Sequence, residues 1–268
     1  MFVTLALAAA LFAPVAAPAE SPAPIPGLDA ARAAAAENAR RVLLVLGEDD
    51  AAVAVRAAMK GVRSVREKLT YEYDVVHVET GREGRLTVLA PDGKIVARED
   101  AAAFLDGERV DSKRFVEFLT EHQAARRSAK AIVAAAKERA KAEGKRVFLH
   151  FGAPWCGNCH ELEDWMASDG VRPLLEKEFV DCKVDIDRTI GGRRLLDRTR
   201  TGEPGGIPWF CFLSPDGEKL VESNRASDGK NVGFPRGEAN HVHVRTMLET
   251  GAVHLTADDI DALIESLP

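Results

Sequence analysis

Cysteine is scarce in this sequence, and every copy lies in one half of the chain. Among 268 residues the cysteines are Cys156, Cys159, Cys182 and Cys211. A fold held together by many disulfides needs more cysteines per residue than this, so a disulfide scaffold is excluded. Any sulfur chemistry must therefore lie in the second half of the chain.

A surplus of positive charge is also missing. Lys and Arg number 36 against 42 Asp and Glu, which gives a formal net charge of −6. A chain with net negative charge has no general attraction for a phosphate backbone, and the overall composition is that of an ordinary globular protein. We therefore expect no nucleic-acid partner, and the length allows two modest domains.

Long hydrophobic runs are absent except at the start. Residues 1–19, MFVTLALAAALFAPVAAPA, carry no charged side chain and end in the small-residue pattern Ala17-Pro18-Ala19. This pattern predicts a signal peptide over 1–19, then a Pro-rich linker over 20–27, and no membrane span after signal removal. A periplasmic or secreted protein is implied. Because no Lys or Arg precedes the apolar stretch, a retained N-terminal anchor stays open as the alternative.

The remainder of the chain contains one sequence pattern twice. Arg41–Gly47 (RVLLVLG) resembles Arg146–Gly152 (RVFLHFG), and Pro-Asp-Gly turns follow later apolar runs at 91–93 and 215–217. Short apolar runs bounded by turn residues predict buried strands, and a stretch of helical character precedes each copy. Two related α/β units in tandem are predicted.

The two copies differ where chemistry would be located. We assign residues 28–123 to the first copy, which has no cysteine, and 124–268 to the second, which contains Cys156-Gly-Asn-Cys159. Where the second copy has Pro208, the first has Gly84. The first copy is therefore interpreted as a docking, spacing or dimerising module and not as a second catalyst.

The Cys-x-x-Cys pair follows a predicted buried strand and opens a predicted helix. At the start of a helix, unpaired backbone N–H groups and the positive end of the dipole stabilise a thiolate. Cys159 lies one turn beyond Cys156 on the same helix face, where it can attack a disulfide formed by Cys156. The spacing predicts Cys156 as the attacking residue and Cys159 as the resolving residue.

The segment Phe151–Cys159 (FGAPWCGNC) resembles the active site of the thioredoxin family, and Gly206-Ile207-Pro208 resembles the loop that faces it. This resemblance implies two tandem thioredoxin-like domains, each with a central mixed β-sheet flanked by helices. It implies a cis Pro208, and an Ile207 backbone that pairs with the substrate strand. With the signal peptide, it predicts an exported thiol–disulfide oxidoreductase that acts on protein thiols or disulfides. An unidentified partner would restore its redox state, with no metal and no cofactor beyond the cysteine pair.

Neighbours of the motif also have predicted roles. Where the family commonly has a buried Asp that accepts a proton, this chain has His150, which is interpreted either as a proton carrier or as a hydrogen-bonded core residue. Trp155 and Trp209 are predicted to frame an apolar surface for the substrate. The arginine-rich stretch Arg188–Pro204 is interpreted as a solvated loop or short helix.

The family resemblance places Cys182 and Cys211 on the two strands beside the strand of His150. They would then lie two strand spacings apart, about 9–10 Å, which exceeds the reach of a disulfide. Two free, buried thiols are therefore predicted.

Two alternatives remain open at this stage. Cys156-Gly-Asn-Cys159-His160 also fits the pattern Cys-x-x-Cys-His of c-type haem attachment. A non-enzymatic interaction module on the same fold is the other alternative.

Overall fold

The structure, a computed structural model, describes residues 24–79, 83–202 and 205–268. The predicted signal peptide, residues 1–19, and the first part of the predicted linker lie outside these ranges. Among the described residues, no helix has both the length and the hydrophobicity to cross a membrane. They form two α/β units, each built on one four-stranded sheet.

The first unit is a mixed sheet with helices on both faces. Its elements are α1 (Leu28–Glu37), β1 (Arg41–Leu46), α2 (Asp50–Gly61), α3 (Arg63–Glu72), β2 (Tyr73–Val78), β3 (Arg85–Leu89), β4 (Ile95–Asp100), a 3-10 turn (Ala101–Phe104), β5 (Leu105–Asp106), β6 (Arg109–Val110) and α4 (Ser112–Glu121). The main sheet has the order β2-β1-β3-β4, with β1 and β2 parallel and the other neighbours antiparallel. The apolar β1 is central because both of its faces are buried.

The second unit has the same plan with additional helices. Its elements are α5 (Ala129–Glu143), β7 (Arg146–Gly152), α6 (Gly157–Ala167), α7 (Arg172–Glu178), β8 (Phe179–Asp185), α8 (Gly192–Thr199), β9 (Trp209–Leu213), β10 (Lys219–Glu222), α9 (Glu238–Gly251) and α10 (Ala257–Glu265). The sheet order is β10-β9-β7-β8, with β7 and β8 parallel and the other neighbours antiparallel. The predicted pair of mixed sheets flanked by helices is thus confirmed.

The two units meet at a buried ionic cluster. Arg188, just after β8, contacts Glu72 at the end of α3 with a distance of 2.9 Å between Nη2 and Oε2, and their side chains are only 5% and 2% exposed. Arg126 contacts the other carboxylate oxygen at 3.2 Å. Arg188 also donates to the carbonyl oxygens of Asn38 and Ala39, at 2.7 and 3.0 Å. The expectation of a solvated Arg188 is therefore wrong, because its guanidinium neutralises Glu72 where the units touch.

Candidate active site

Cys156 lies at the junction where β7 ends and α6 begins. It is the N-cap of α6, and its Sγ accepts a hydrogen bond from the backbone N–H of Cys159 at 3.2 Å. The two sulfurs form a disulfide of 2.06 Å. The N-terminus of α6 therefore positions the cysteine pair and supplies a donor that would stabilise a Cys156 thiolate.

The loop before β9 faces this disulfide. The Ile207–Pro208 peptide bond is cis, as the family resemblance implied, and the carbonyl oxygen of Ile207 lies 3.6 Å from Cys156 Sγ. Asn231 holds the loop, because its Nδ2 donates to the carbonyls of Gly206 at 3.0 Å and Pro208 at 2.8 Å. Sequence reasoning missed Asn231, since a lone Asn in a loop far along the chain carries no signal of this contact.

Trp155 is the exposed side chain next to the disulfide. Cys159 is buried and Cys156 retains 5% of its surface, whereas Trp155 is 57% exposed. The indole of Trp155 donates to Asp187 at 2.8 Å, so the exposed ring has a defined position beside Cys156. Trp209 is different, because it is fully buried and donates to Asn224 at 3.0 Å. The prediction that Trp209 frames the substrate surface is therefore wrong.

His150 lies in the core beneath α6. It is 2% exposed, and its Nε2 lies 2.9 Å from a carboxylate oxygen of Asp181 on β8. Burial acts to raise the pKa of Asp181, but His150, Lys183 and the backbone N–H of Cys182 together hold that pKa below its usual value. His150 is thus a hydrogen-bonded core residue, and its role in moving protons stays a prediction.

A charged cluster adjoins the resolving cysteine. Lys183 on β8 contacts Glu163 of α6 at 2.8 Å, and His160 Nδ1 lies 3.7 Å from the same carboxylate oxygen. Lys183 also donates to Asn38 of the first unit at 2.7 Å. Sequence analysis missed Glu163, although its position four residues after Cys159, and hence on the same helix face, is a signal that could have identified it.

Cys182 and Cys211 are free and buried, as predicted. Leu149 on β7 lies between them, because it pairs with Cys182 on β8 and with Cys211 on β9. Burial raises the pKa of Cys182 to about 12 and raises that of Cys211 as well. Neither thiol is suited to act as a nucleophile near neutral pH.

In the first unit, a carboxylate occupies the position of the cysteine pair. Asp49 is the N-cap of α2 and accepts a hydrogen bond from the N–H of Ala52 at 2.8 Å, which is the same i to i+3 contact that Cys156 makes. Its other oxygen accepts from Gly84 N–H at 2.8 Å. A side chain at Gly84 would lie 2.6 Å from Asp49, so glycine is required there. The junction of this unit is therefore closed by hydrogen bonds and has no group that can exchange disulfides.

The haem pattern finds no support in the geometry of His160. Its Nε2 donates a hydrogen bond to the carbonyl of Pro154 at 2.9 Å. A histidine that binds haem iron would need that ring nitrogen free of a proton. In the described ranges, no group of three or more His, Cys, Asp or Glu side chains is placed to hold a metal ion.

A cysteine pair at a helix N-terminus, opposite a cis-proline loop on a mixed four-stranded sheet, defines the class of thioredoxin-fold thiol–disulfide oxidoreductases. Residues 128–215 match the sequence model of the thioredoxin-like family. The topology of the first unit is thioredoxin-like as well.

Two curated relatives each match about a third of the chain. It is 34% identical over 107 residues to protein disulfide isomerase-like 1-3 of Oryza sativa subsp. japonica, covering 36% of this chain and 17% of that protein. It is 31% identical over 91 residues to a protein disulfide-isomerase of Hordeum vulgare, covering 32% and 15%. The crystal structure of a disulphide isomerase from Xylella fastidiosa Temecula1 matches at 28% identity and a TM-score of 0.31, over 35% of this chain and 72% of that one. The chain thus spans less than a fifth of the length of these curated relatives.

Proposed function

We propose that this protein exchanges thiols and disulfides with other proteins through Cys156 and Cys159. The observation that carries the proposal is the disulfide at the N-terminus of α6, 3.6 Å from the backbone of Ile207. The names of the plant relatives that match this segment, both disulfide isomerases, support the same class of reaction.

In the reductive direction, the Cys156 thiolate attacks one sulfur of a substrate disulfide. A bond forms between Cys156 and that sulfur, and the other substrate sulfur leaves as a thiolate. Cys159 then attacks Cys156, the Cys156–Cys159 disulfide forms, and the substrate leaves with both sulfurs reduced. Two electrons pass from the cysteine pair to the substrate, and a partner dithiol must return them. Trp155 and the Ile207–Pro208 backbone flank Cys156 and are proposed to bind the substrate strand.

Trapping of the mixed disulfide tests this division of roles. A Cys159→Ser variant should accumulate mixed disulfides with a model protein that contains a disulfide, because the resolving step is blocked. A Cys156→Ser variant is the matched control and should form none, since the buried Cys159 is not the attacking sulfur. Absence of adducts in both variants, together with no reduction of a generic protein disulfide, would favour a non-enzymatic interaction module.

The direction of electron flow is set by the potential of the cysteine pair. Potentials of thioredoxin-fold pairs range from about −270 to about −120 mV. Equilibration of the chain in glutathione buffers, read by alkylation of Cys156, would place it in this range. A value near the low end identifies a reductase, and one near the high end an oxidant or isomerase.

We further propose that the protein acts outside the cytoplasm, on the basis of the apolar segment 1–19. Cell fractionation combined with N-terminal sequencing tests this. A chain in the periplasm or medium that starts near Glu20 would support export, and an intact chain in the cytoplasm would contradict it.

A further inference from the structure

The end of β7 brings Gly152 against the resolving cysteine. A Cβ at Gly152 would lie 3.2 Å from Cys159 Cβ, 3.5 Å from its Sγ and 3.7 Å from Oε1 of Glu163. Because Gly152 has no side chain, the sulfur of Cys159 and the carboxylate of Glu163 both lie near its backbone on the same side. A thiol can pass its proton to a nearby carboxylate directly or through one water molecule.

Glu163 faces Gly152 with one carboxylate oxygen and Lys183 with the other. Its Oε2 contacts Lys183 Nζ at 2.8 Å and lies 3.7 Å from His160 Nδ1, whereas its Oε1 is the atom that faces Gly152. The side chain of Glu163 is 21% exposed, so it can exchange protons with solvent.

The first unit fixes the lysine that holds Glu163. Lys183 Nζ donates to Asn38 Oδ1 at 2.7 Å, and Asn38 Nδ2 donates to the carbonyl of Ala34 at 2.9 Å. The second bond sets the orientation of the amide, so that its oxygen faces the lysine. Arg188 in turn holds the Asn38 carbonyl at 2.7 Å. A continuous set of contacts thus runs from the end of α1, in the unit without cysteines, through Lys183 to Glu163.

We propose that Glu163 accepts the proton of the Cys159 thiol during resolution, and that Asn38 of the first unit positions it through Lys183. The inference rests on the proposed exchange function. Cys159 Sγ transfers its proton to Glu163 and attacks Cys156 Sγ. The Cys156–Cys159 bond forms as the bond from Cys156 to the substrate sulfur breaks, and the leaving thiolate takes up the proton from Glu163 or from water.

Several other titratable or charged groups border the two clefts on which Glu163 lies. They include His150, His160, Lys183, Asp185, Glu37 and Arg127, together with Asp181, which pairs with His150. A pH profile must therefore be compared between variants, because the profile of one protein cannot be assigned to a single group.

Reaction of the fully reduced full-length chain with the aromatic disulfide dithiobis(nitrobenzoate) separates the two steps. Attack by Cys156 releases a first thionitrobenzoate, and resolution by Cys159 releases a second, so two fast phases are expected. Glu163→Gln should slow the second phase by about tenfold to a hundredfold below the thiol pKa of about 8.5, and the deficit should shrink as the pH rises. The first phase should not be slowed. Glu161→Gln is the matched control, because Glu161 lies on the same helix and binds Arg236 on the surface.

The contribution of the first unit is tested at Asn38. Asn38→Ala should slow the second phase with the same pH dependence as Glu163→Gln but by a smaller factor, and Asn38→Asp, which keeps an acceptor for Lys183, should restore it. A Glu163→Gln variant with an unchanged second phase would overturn the proposal, as would equal slowing of both phases. A second phase lost only in His150→Asn would assign the proton to His150 instead. Absence of any fast first phase in the wild type would be a failure of the proposed function itself.

Discussion

The substitution Glu72→Ala tests how the two units are held together. The carboxylate is 2% exposed and contacts Arg188 at 2.9 Å and Arg126 at 3.2 Å. Arg126 is half-exposed and can turn to solvent, whereas Arg188 is 5% exposed and cannot. Removal of one partner of a buried ion pair costs about 3–5 kcal/mol, because the remaining charge keeps its desolvation penalty without its compensation. We expect the free energy that stabilises the folded first unit and its contact with the second unit to fall by this amount.

Urea unfolding with two probes locates this loss. The tryptophans, Trp155, Trp165 and Trp209, all lie in the second unit, so their fluorescence reports that unit, while far-UV circular dichroism reports the helices of both. With an m-value of about 3 kcal/mol/M, the circular dichroism midpoint of Glu72→Ala should fall by about 1–2 M. The fluorescence midpoint should fall less, so that the two transitions separate.

An exposed ion pair on the same helix provides the control. Arg63 and Glu67 contact each other at 2.7 Å with side chains 84% and 52% exposed. Glu67→Ala should leave both midpoints unchanged, because such pairs contribute little in water. If Glu72→Ala shifted the midpoints no further than Glu67→Ala, the reasoning from burial would be refuted.

Three further predictions concern the second unit. Burial raises the pKa of Cys182 to about 12, so neither free thiol of the native, oxidised chain should react readily with a thiol reagent, and denaturant should expose 2 per chain; rapid native reaction would contradict this. Burial acts to raise the pKa of Asp181, but His150, Lys183 and the backbone N–H of Cys182 together more than offset it, so the contribution of Asp181 to stability is present above about pH 4 and is lost as the pH falls through its lowered pKa. Asp181→Asn should therefore flatten the acid side of the stability–pH curve, and an unchanged curve would count against the pairing. Asp187→Asn weakens the bond that positions Trp155 and should raise KM for a protein disulfide about fivefold, which corresponds to about 1 kcal/mol, with kcat nearly unchanged; an effect on kcat alone would contradict a binding role.

Those parts of the fold and site that depend on local patterns could be predicted from the sequence. The strands Arg41–Leu46 and Arg146–Gly152 are apolar runs bounded by polar residues, and the cysteine spacing itself places Cys156 and Cys159 on one face of α6. The order of motifs was sufficient to recognise the second unit and its facing loop.

The contacts between units could not be predicted in this way. Glu72 and Arg188 are 116 residues apart, and Asn38 and Lys183 are 145 apart, so no periodicity or motif links them. The error at Trp209 has a related cause. Its position beside Pro208 indicated the substrate surface, but a strand covered on both faces turns the indole into the core, where it packs against Phe151 with ring centroids 5.7 Å apart.

The bridge from Asp49 to Ala52 and Gly84 has a consequence for how the chain responds to its surroundings. These contacts are hydrogen bonds to a carboxylate and contain no redox-active group. Reducing or oxidising conditions therefore change the covalent state of the second unit and leave that of the first unit unchanged. The same two backbone donors lower the pKa of Asp49, so mild acid leaves the bridge intact as well. The first half of the molecule thus keeps one covalent state, while the other half can cycle between two.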